Sequence, residues 1–207
     1  MSEFVMPRRQ LIARAGSLAA ALPLLSACDA INDAPAVRKI LSMGEEMNRA
    51  SHRALIDRDA LARELADMRS MPQRTQITRH DCVEGWSAIG QWTGVQLSRI
   101  LTAAGVKDSA RYIVFRCADR IGDALYYESC DMVDARHPQT IMAWALNDAV
   151  VPIANGAPLR LRIERQLGYK HAKYVTGIEA VASLDGIGAG KGGYWEDRID
   201  YEWYAGI

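Results

Sequence analysis

The residues best suited to do chemistry in this chain are a cysteine set among ionisable side chains and a basic segment far downstream. The cysteine, Cys82, lies in residues 80–87 (HDCVEGWS). Ionisable neighbours favour a thiolate, which is either a nucleophile or a ligand for a soft metal. The basic segment, residues 168–173 (GYKHAK), suits an anion such as a phosphate. The two together predict a site for a phosphorylated, metal-bearing cofactor.

Composition limits the class of protein. With 207 residues the chain can form one ordinary domain with a sizeable core. Lys+Arg and Asp+Glu both number 25, so the zero net charge gives no general reason to expect nucleic acid or an anionic membrane as partner. Positive charge is concentrated locally, because five basic residues and only one acid lie between Arg160 and Lys173.

The first 28 residues are predicted to be a targeting segment. A twin-arginine pair at residues 8–9 precedes an apolar run, 15–27, which is too short for a stable membrane helix. The run ends in LSAC, which resembles a lipobox and predicts lipidation at Cys28. The alternative is an ordinary signal cut near Ala27. The twin arginines predict export of the folded chain to the periplasm, where a lipid on Cys28 would be its only membrane attachment.

Residues 29–44 are predicted to be a tether, and residues 45–207 the functional domain. Once the cysteine of the targeting segment is set aside, Cys82, Cys117 and Cys130 remain, an odd number for an oxidising compartment. A hairpin turning near Gly122 would pair Cys117 with a residue near 127 rather than with Cys130. We therefore predict no disulfide, and a bond from Cys82 to a metal would explain why a thiol stays free.

The pattern of apolar and polar residues along the domain predicts more short strands than helices. Helical spacing marks residues 59–68 and 95–104, the second closed by Gly105, whereas residues 141–146 fit either a helix or a strand. This pattern predicts a β-rich α+β single domain. Strands are predicted at residues 73–80, 111–117, 124–129, 159–163 and 174–184.

The strand at 159–163 is predicted to bury its aliphatic residues and to present Arg160 and Arg162 on the opposite face. Arg160 could then form a forked bond to phosphate, whereas Arg162 is predicted to be solvated. Lys170 and Lys173 would lie on opposite faces of a strand, so a role shared by both requires a turn that starts at Gly168.

Five short motifs follow one another along the chain, each weak alone and specific in combination. They are residues 82–87 (CVEGWS), 92–94 (WTG), 137–140 (HPQT), 155–160 (NGAPLR) and 168–173 (GYKHAK).

In this order and spacing the motifs resemble the molybdopterin-binding oxidoreductase domain of the sulfite oxidase family, and most closely its stand-alone bacterial members. The resemblance extends from Asn48 onward and implies that Cys82 binds molybdenum in one molybdopterin per chain. It also implies that Cys82 takes part in catalysis. Asp119 lies at the end of a predicted strand, a usual place for functional groups, and is predicted to be a catalytic residue that lines the substrate pocket. The other implied cofactor contacts are Asn48, Ser51, His52, Cys117, Asn155, Arg160, Lys170, His171, Ala172 and Lys173.

Alternatives stay open for several of these residues. Cys82 could be a buried structural cysteine, or a nucleophile assisted by His80 two residues away. Asp119 and Asn155 could be ordinary turn residues, and Cys117 a strand residue that faces the core. The tryptophans at 86, 92 and 144 are predicted to be core residues, and the aromatic residues of the last fourteen could frame the site or pack the domain edge.

The reaction implied by the resemblance is two-electron oxygen-atom transfer, with reduction of an S- or N-oxide favoured by the reductase-type motif at Cys82. A sulfite-like substrate is the other possibility. The sequence shows no haem-attachment motif, so a separate redox partner, a membrane haem protein or a soluble cytochrome, is expected to exchange the electrons. Two rival functions are a cofactor-free thiol enzyme using Cys82 and His80, and a binding lipoprotein without catalysis.

Overall fold

The computed structural model describes residues 65–207. The predicted targeting segment, the tether, the start of the predicted helix at 59–68, and the expected cofactor contacts Asn48, Ser51 and His52 lie outside the described residues. Residues 65–70 are helical, in agreement with the end of that helix.

Eight strands form the framework of the described residues. Their bounds are β1 (Gln73–Asp81), β2 (Ser87–Gln96), β3 (Tyr112–Ile121), β4 (Ala124–Asp131), β5 (Ile141–Leu146), β6 (Ala149–Val150), β7 (Arg160–Arg162) and β8 (Val175–Val181).

The strands form two antiparallel sheets. The larger has the order β1-β2-β5-β6, with β7 also paired to β5, and the smaller has the order β4-β3-β8. The predicted β-rich α+β class is confirmed, and residues 141–146 are a strand. The sequence patterns missed β2, because its exposed and buried positions do not follow a simple alternation of polar and apolar residues.

Three short helices connect or cover the sheets: α1 (Leu97–Ala103), α2 (Met132–Ala135) and α3 (Tyr194–Ile199). Gly105 follows α1 with φ of 65°, a left-handed conformation typical of a glycine that ends a helix, as predicted. Single turns of 3-10 helix occur at Ile153–Asn155 and Gly168–Lys170. No helix in residues 65–207 is long and apolar enough to cross a membrane.

The core lies between the two sheets. Ile113 and Phe115 from the smaller sheet pack in one buried cluster with Met142 and Leu161 from the larger sheet. Burial of such side chains is the dominant favourable contribution to folding. The two sheets are therefore held together by a common apolar layer, and the functional site occupies a part of the interface that this layer leaves open.

The described cysteines are not bonded to one another, as predicted. In the β3–β4 hairpin Arg116 pairs with Tyr127, and Cys130 pairs with Ile113, so the strand register separates Cys117 from Cys130. Cys82, Cys117 and Cys130 are all free thiols.

Candidate functional site

A cavity of about 590 Å³ lies between the two sheets. Cys82 and the segment at 168–173 border this same cavity, although they are far apart in sequence. It is lined by His80, Cys82, Val83, Glu84, Trp86, Ala88, Ile89, Gly90, Trp92, Asp119, Ile121, Tyr126, Leu146, Asn147, Asn155, Arg160, Gly168, Tyr169, His171, Lys173, Trp195 and Tyr201.

Cys82 lies at the start of the loop that joins β1 to β2. Its backbone N–H donates to the Trp86 carbonyl at 2.9 Å and its carbonyl accepts from the Gly85 N–H at 3.0 Å. Gly85 has φ of 90°, a conformation that side chains other than glycine rarely adopt. The tight loop fixes the thiol at the cavity wall. Its sulfur lies 4.0 Å from Glu84 Oε2, which also accepts from Trp86 Nε1 at 3.2 Å.

Strand β1 brings polar rather than apolar side chains into the molecule. Gln76 is buried and His80 lines the cavity, whereas Ile77 on the opposite face is 69% exposed. Each strand has two faces, so this inversion of the usual pattern indicates that the interior here is built for polar groups. Gln76 Nε2 donates to Glu164 Oε1 at 3.0 Å, which begins a buried polar network.

Asp119 reaches the cavity because β3 is irregular at that point. The register with β4 shifts between Arg116 and Arg120, so that Cys117, Ala118 and Asp119 face a single residue, Tyr126. Such bulges bend a strand and redirect a side chain. Asp119 therefore lies within β3 and lines the cavity rather than sitting in the hairpin turn, which is made by Gly122 and Asp123.

Cys117, the first residue of the bulge, does not line the cavity. It is 3% exposed within the core, and burial raises the pKa of its thiol far above the usual range. The structure does not support the expected cofactor contact by Cys117, because the bulge turns Asp119 and not Cys117 toward the cavity. Its alternative interpretation as a core strand residue is the one the structure supports.

Two arginines of β7 form the basic part of the site. The guanidinium of Arg160 lies 5.1 Å from the ring centroid of Trp92, and that of Arg162 lies 4.7 Å from the same ring. Arg160 NH1 donates to the Asn155 carbonyl at 3.1 Å, while its Nε is buried without a partner in the described part of the chain. Arg160 forms no ion pair within residues 65–207. Burial, reinforced by Arg162, lowers the pKa of Arg160 to about 10.

Arg162 is fully buried, so the prediction of a solvated side chain is wrong. Its Nε and NH2 make two hydrogen bonds to Glu164, at 2.9 and 2.7 Å, and its NH1 lies 2.9 Å from His80 Nδ1. Both faces of β7 are covered because the strand lies inside the domain. Arg162 therefore supports the site from behind, whereas Arg160 lines the cavity.

His80 is held neutral and cannot serve as the base for Cys82. Burial, followed by repulsion from Arg160 and Arg162, lowers the pKa of His80 to about 4. A guanidinium can only donate, so Nδ1 of His80 accepts from Arg162 and Nε2 carries the proton. Neither ring nitrogen of a neutral His80 is then available to take a proton from the thiol. The geometry argues against the cofactor-free thiol enzyme.

Lys170 points away from the cavity, so the predicted contact with the cofactor is wrong. Its ammonium is fully buried and binds Glu128 at 2.5 Å and Glu196 at 2.6 Å. The predicted turn at Gly168 exists, but it separates the two lysines rather than bringing them together. Lys170 faces α3 and β4, whereas Lys173 lines the cavity.

Lys173 lies against the turn that precedes β7. Its Nζ donates to the Ala154 carbonyl at 2.9 Å, and a side chain on Gly156 would clash with its Cβ at 2.9 Å. Burial and the nearby Arg160 lower the pKa of Lys173. Asn155, Arg160 and Lys173 thus form one cluster that joins two predicted motifs on the cavity wall.

His171 lines the cavity, and Ala172 lies just behind the wall. Nε2 of His171 donates to the Gln166 carbonyl at 3.0 Å, which leaves Nδ1 as a buried acceptor with no partner among residues 65–207. Burial and Arg162 hold the pKa of His171 well below its usual range, so the ring is neutral. The side chain of Ala172 is buried in the core, and no cavity contact supports its predicted role.

Sequence reasoning missed several residues of the site. Glu84 belongs to the motif at 82–87, yet it was not singled out, although a carboxylate two residues from a candidate metal ligand was a usable signal. Trp86 is 51% exposed and borders the cavity, and Trp92 borders it from within the core, so neither is simply a core residue. Tyr169, Trp195 and Tyr201 could not have been placed by local periodicity. Two of the C-terminal aromatic residues, Trp195 and Tyr201, therefore frame the site.

The site fits an anionic organic cofactor with a soft metal. Arg160 and Lys173 border the cavity without a carboxylate ion pair in the described part of the chain, and buried Arg160 Nε and His171 Nδ1 lack partners. A phosphate accepts from guanidinium and ammonium groups, and a pterin edge offers N–H donors to a histidine nitrogen. Residues 65–207 contain no cluster of three His, Cys, Asp or Glu that could hold a metal. Cys82 alone would contribute a soft ligand.

Comparison with known protein families gives one match that covers most of the domain. The model of the oxidoreductase molybdopterin binding domain matches residues 46–185, about two thirds of the chain.

Similar proteins include enzymes of one kind. A protein of Azospira oryzae, named as a protein-methionine-sulfoxide reductase subunit, YedZ1, is 41% identical over 142 residues, which are 69% of this chain and 50% of that protein. The protein-methionine-sulfoxide reductase catalytic subunit MsrP of Ralstonia nicotianae is 34% identical over 124 residues, 55% of this chain and 38% of that protein. The chain spans half or less of the length of these relatives.

Among solved structures, the sulfane dehydrogenase SoxCD of Paracoccus pantotrophus is similar over 58% of this chain and 36% of that one. The sequence identity is 21% and the TM-score 0.49.

Proposed function

This chain belongs to the family of oxidoreductase molybdopterin binding domains, and we propose that it binds one molybdopterin with molybdenum and reduces an S-oxide. The observation that carries the proposal is the single cavity that joins Cys82 to the basic cluster of Arg160 and Lys173. A free thiol lies on the same cavity as a buried guanidinium and a half-buried ammonium that form no ion pair with a carboxylate within residues 65–207. A metal carried by an anionic organic group requires such a combination.

Different residues of the cavity would bind different parts of the cofactor. Cys82 would provide the thiolate for the metal, which in turn keeps the sulfur deprotonated. Arg160 and Lys173 would bind the phosphate, while Asn155 and His171 Nδ1 would pair with the polar edge of the pterin. When bound, the cofactor supplies a metal centre that exchanges two electrons and an oxygen atom with the substrate.

Reduction of an S-oxide consumes two electrons and two protons and releases a thioether and water. Asp119, placed in the cavity by the bulge in β3, is the group we propose to hold and deliver a proton to the departing oxygen. His80 remains a donor through Nε2 and can orient a bound oxygen atom but not remove a proton. A separate redox partner, such as a haem protein, would supply the electrons.

The names of the similar proteins favour methionine sulfoxide as the oxide. Both relatives are described as protein-methionine-sulfoxide reductase subunits. Because this chain spans half or less of their length, its substrate and its electron partner are proposals that the family match alone leaves open.

The test combines metal analysis with turnover of the purified protein. We expect molybdenum near one atom per chain, and reduction of N-acetylmethionine sulfoxide amide by a viologen electron donor. Cys82→Ser should abolish turnover and lower the metal content while the unfolding midpoint stays close to that of the unmodified protein. Metal-free protein that still reduces the sulfoxide would overturn the proposal.

Cys130→Ala is the matched control, since Cys130 is a free thiol buried away from the cavity. Its turnover per folded chain should equal that of the unmodified protein. A cofactor-free thiol enzyme predicts a different pattern, in which iodoacetamide inactivates the protein and molybdenum is absent.

We also propose that the chain is exported folded to the periplasm and attached to the membrane by a lipid on Cys28. The support is the twin-arginine pair at 8–9 and the LSAC sequence that ends the apolar run. Replacing both arginines by lysines should retain the protein in the cytoplasmic fraction. Cys28→Ala should release an exported protein from the membrane fraction, and unchanged fractionation of both variants would contradict the proposal.

A further inference from the structure

Three aromatic side chains form a continuous surface on one side of the cavity. Tyr169, Trp195 and Tyr201, here called the aromatic wall, all line the cavity. The ring centroids of Tyr169 and Tyr201 are 4.9 Å apart, and those of Trp195 and Tyr201 are 6.3 Å apart. These are normal separations for interacting aromatic rings. The three rings therefore act as one surface rather than as separate contacts.

The aromatic wall is fixed by buried polar groups behind it. Tyr169 precedes Lys170 and Trp195 precedes Glu196, and these two neighbours form a fully buried ion pair with Nζ and Oε1 2.6 Å apart. The hydroxyl of Tyr169 also donates to the Glu202 carbonyl at 2.6 Å. Contacts outside the cavity thus hold Tyr169 and Trp195 in place. The ring faces that border the cavity remain available to a ligand.

Most of the aromatic wall lies beyond the family match. That match ends at residue 185, whereas Trp195 and Tyr201 belong to α3 and the segment that follows it. The parts that would hold the cofactor, Cys82, Arg160 and Lys173, all lie within the match. The wall is therefore a part of the site that the family match does not describe.

The charges around the cavity differ between its parts. Arg160 and Lys173 form the basic cluster, and Asp119 is close enough to Lys173 to interact with it electrostatically. Glu84 places a second carboxyl group on the cavity, next to Cys82. Aromatic ring faces carry negative electrostatic potential and attract polarisable sulfur or positive charge. With the basic cluster occupied by an anionic cofactor, the remaining surface is unfavourable to a small oxyanion and favourable to an uncharged, sulfur-bearing group.

We propose that the aromatic wall determines specificity: it binds the apolar, sulfur-bearing part of an uncharged S-oxide and disfavours oxyanions such as sulfite. The inference rests on the proposed function, because it concerns the substrate of the same site. Tyr169, Trp195 and Tyr201 act on the group attached to the sulfoxide and not on the reacting oxygen. Their loss should therefore change KM much more than kcat.

The experiment compares two sulfoxides of different size in the holoprotein. Trp195→Leu and Tyr201→Leu should each raise KM for N-acetylmethionine sulfoxide amide about tenfold, the loss expected for a sulfur–aromatic contact with its buried area. KM for dimethyl sulfoxide, which lacks the longer side chain, should change less than about threefold, and kcat for both should stay within about twofold. Trp195→Phe should restore most of the lost affinity.

Tyr204→Leu is the matched control, because Tyr204 is an exposed aromatic residue of the same segment that does not line the cavity. It should leave both KM values unchanged. Equal changes in KM for the two sulfoxides in the Trp195 and Tyr201 variants would overturn the proposal.

A second measurement does not depend on turnover. Titration of the protein with the thioether N-acetylmethionine amide, followed by NMR, should show binding weakened about tenfold by Trp195→Leu and unaffected by Tyr204→Leu. If the protein reduces no S-oxide but the titration gives this pattern, the proposed function fails and the aromatic wall stands as a thioether-binding surface. If S-oxides are reduced and the titration shows no difference, the aromatic wall proposal alone is wrong.

Discussion

Two groups of positive charge, one fully buried and the other on the cavity wall, lie close together in sequence and differ in their partners. Lys170 is enclosed with Glu128 and Glu196, so its hydrogen-bond acceptors and its counter-charge come from the chain itself. Arg160 and Lys173 border the cavity, and neither forms an ion pair with a carboxylate in the part of the chain that the structure describes. The first group belongs to the framework, and the second is available to a ligand.

The difference shows how a ligand site can be recognised among buried charges. Moving a charge out of water is costly unless partners replace the water. A charge that has partners can be explained by the fold alone. Arg160 NH1 donates to the Asn155 carbonyl, but its buried Nε has no partner within residues 65–207, which indicates that a further partner comes from outside the protein.

The largest effect should come from Lys170→Met. Removing the ammonium leaves Glu128 and Glu196 buried next to each other, so the free energy of unfolding should fall by about 3–5 kcal/mol. Urea unfolding of the cofactor-free protein measures this loss. Lys191→Met is the control, because Lys191 pairs with Asp200 at the surface, where solvent screening leaves such a pair with little effect on stability. A loss below about 1 kcal/mol for Lys170→Met would remove the distinction between the two groups.

Arg160→Met should have the opposite profile. The free energy of unfolding of the cofactor-free protein should change by less than about 1 kcal/mol or rise, because an unpaired buried charge is removed. Cofactor affinity should fall about tenfold to a hundredfold, which corresponds to about 1.5–3 kcal/mol for a hydrogen bond to a charged group. Molybdenum per chain after extended dialysis measures retention. Arg116→Met, which affects a surface pair with Glu179, should retain the cofactor fully.

The pH dependence of stability tests the framework group. Two carboxylates share one ammonium, and burial raises the pKa of Glu128 to about 8 despite the opposing effect of Lys170. The folded protein therefore keeps a proton on Glu128 that the unfolded chain releases near its ordinary carboxyl pKa of about 4.3. The stability from this group is complete below that value and is lost as the pH rises through about 8.

Glu128→Gln cannot titrate at this position and should remove that part of the slope between about pH 4.5 and pH 8. Chemical unfolding at several pH values, with the unmodified protein alongside, makes the measurement. Parallel slopes for the two proteins would show that Glu128 does not hold a proton in the folded state.

The smallest effect on stability should come from Lys173→Met. Its ammonium donates to one carbonyl, that of Ala154, so the cofactor-free protein should lose less than about 1 kcal/mol. Cofactor retention should nevertheless fall several-fold, because Lys173 faces the cavity. Compared with each other, Lys170→Met should mainly lower the free energy of unfolding, and Lys173→Met should mainly lower cofactor retention, although the two lysines are three residues apart.

Much of the domain could be predicted from local patterns. Alternation placed β1, β4 and β8 close to their observed ends, and the hairpin at Gly122 excluded a bond between Cys117 and Cys130. These features depend on nearest neighbours along one strand, which is the information that periodicity contains. The strand β2 was missed because one of its faces lines a cavity and the other is partly exposed.

The candidate site was predicted in outline and wrong in detail. Cys82, Asp119, Asn155, Arg160, His171 and Lys173 border one cavity, and their roles in binding and catalysis stay predictions. The predicted cofactor contact of Cys117 was not supported, because a bulge in β3 directs Asp119 toward the cavity instead. No turn residue in the sequence indicates this bulge. The prediction that Arg162 is solvated was wrong, because both faces of β7 are covered by other parts of the domain.

The amino-acid sequence by itself determined the family, the β-rich class and the two segments that carry a thiol and an anion site, since motif spacing and alternation are properties of the chain. Only the tertiary structure decided which lysine of the second segment serves the cavity. That choice depends on Glu128 and Glu196, which come from β4 and α3 and meet Lys170 only when the chain is folded. Burial compels each charge to find a partner, and the partner can lie anywhere in the sequence.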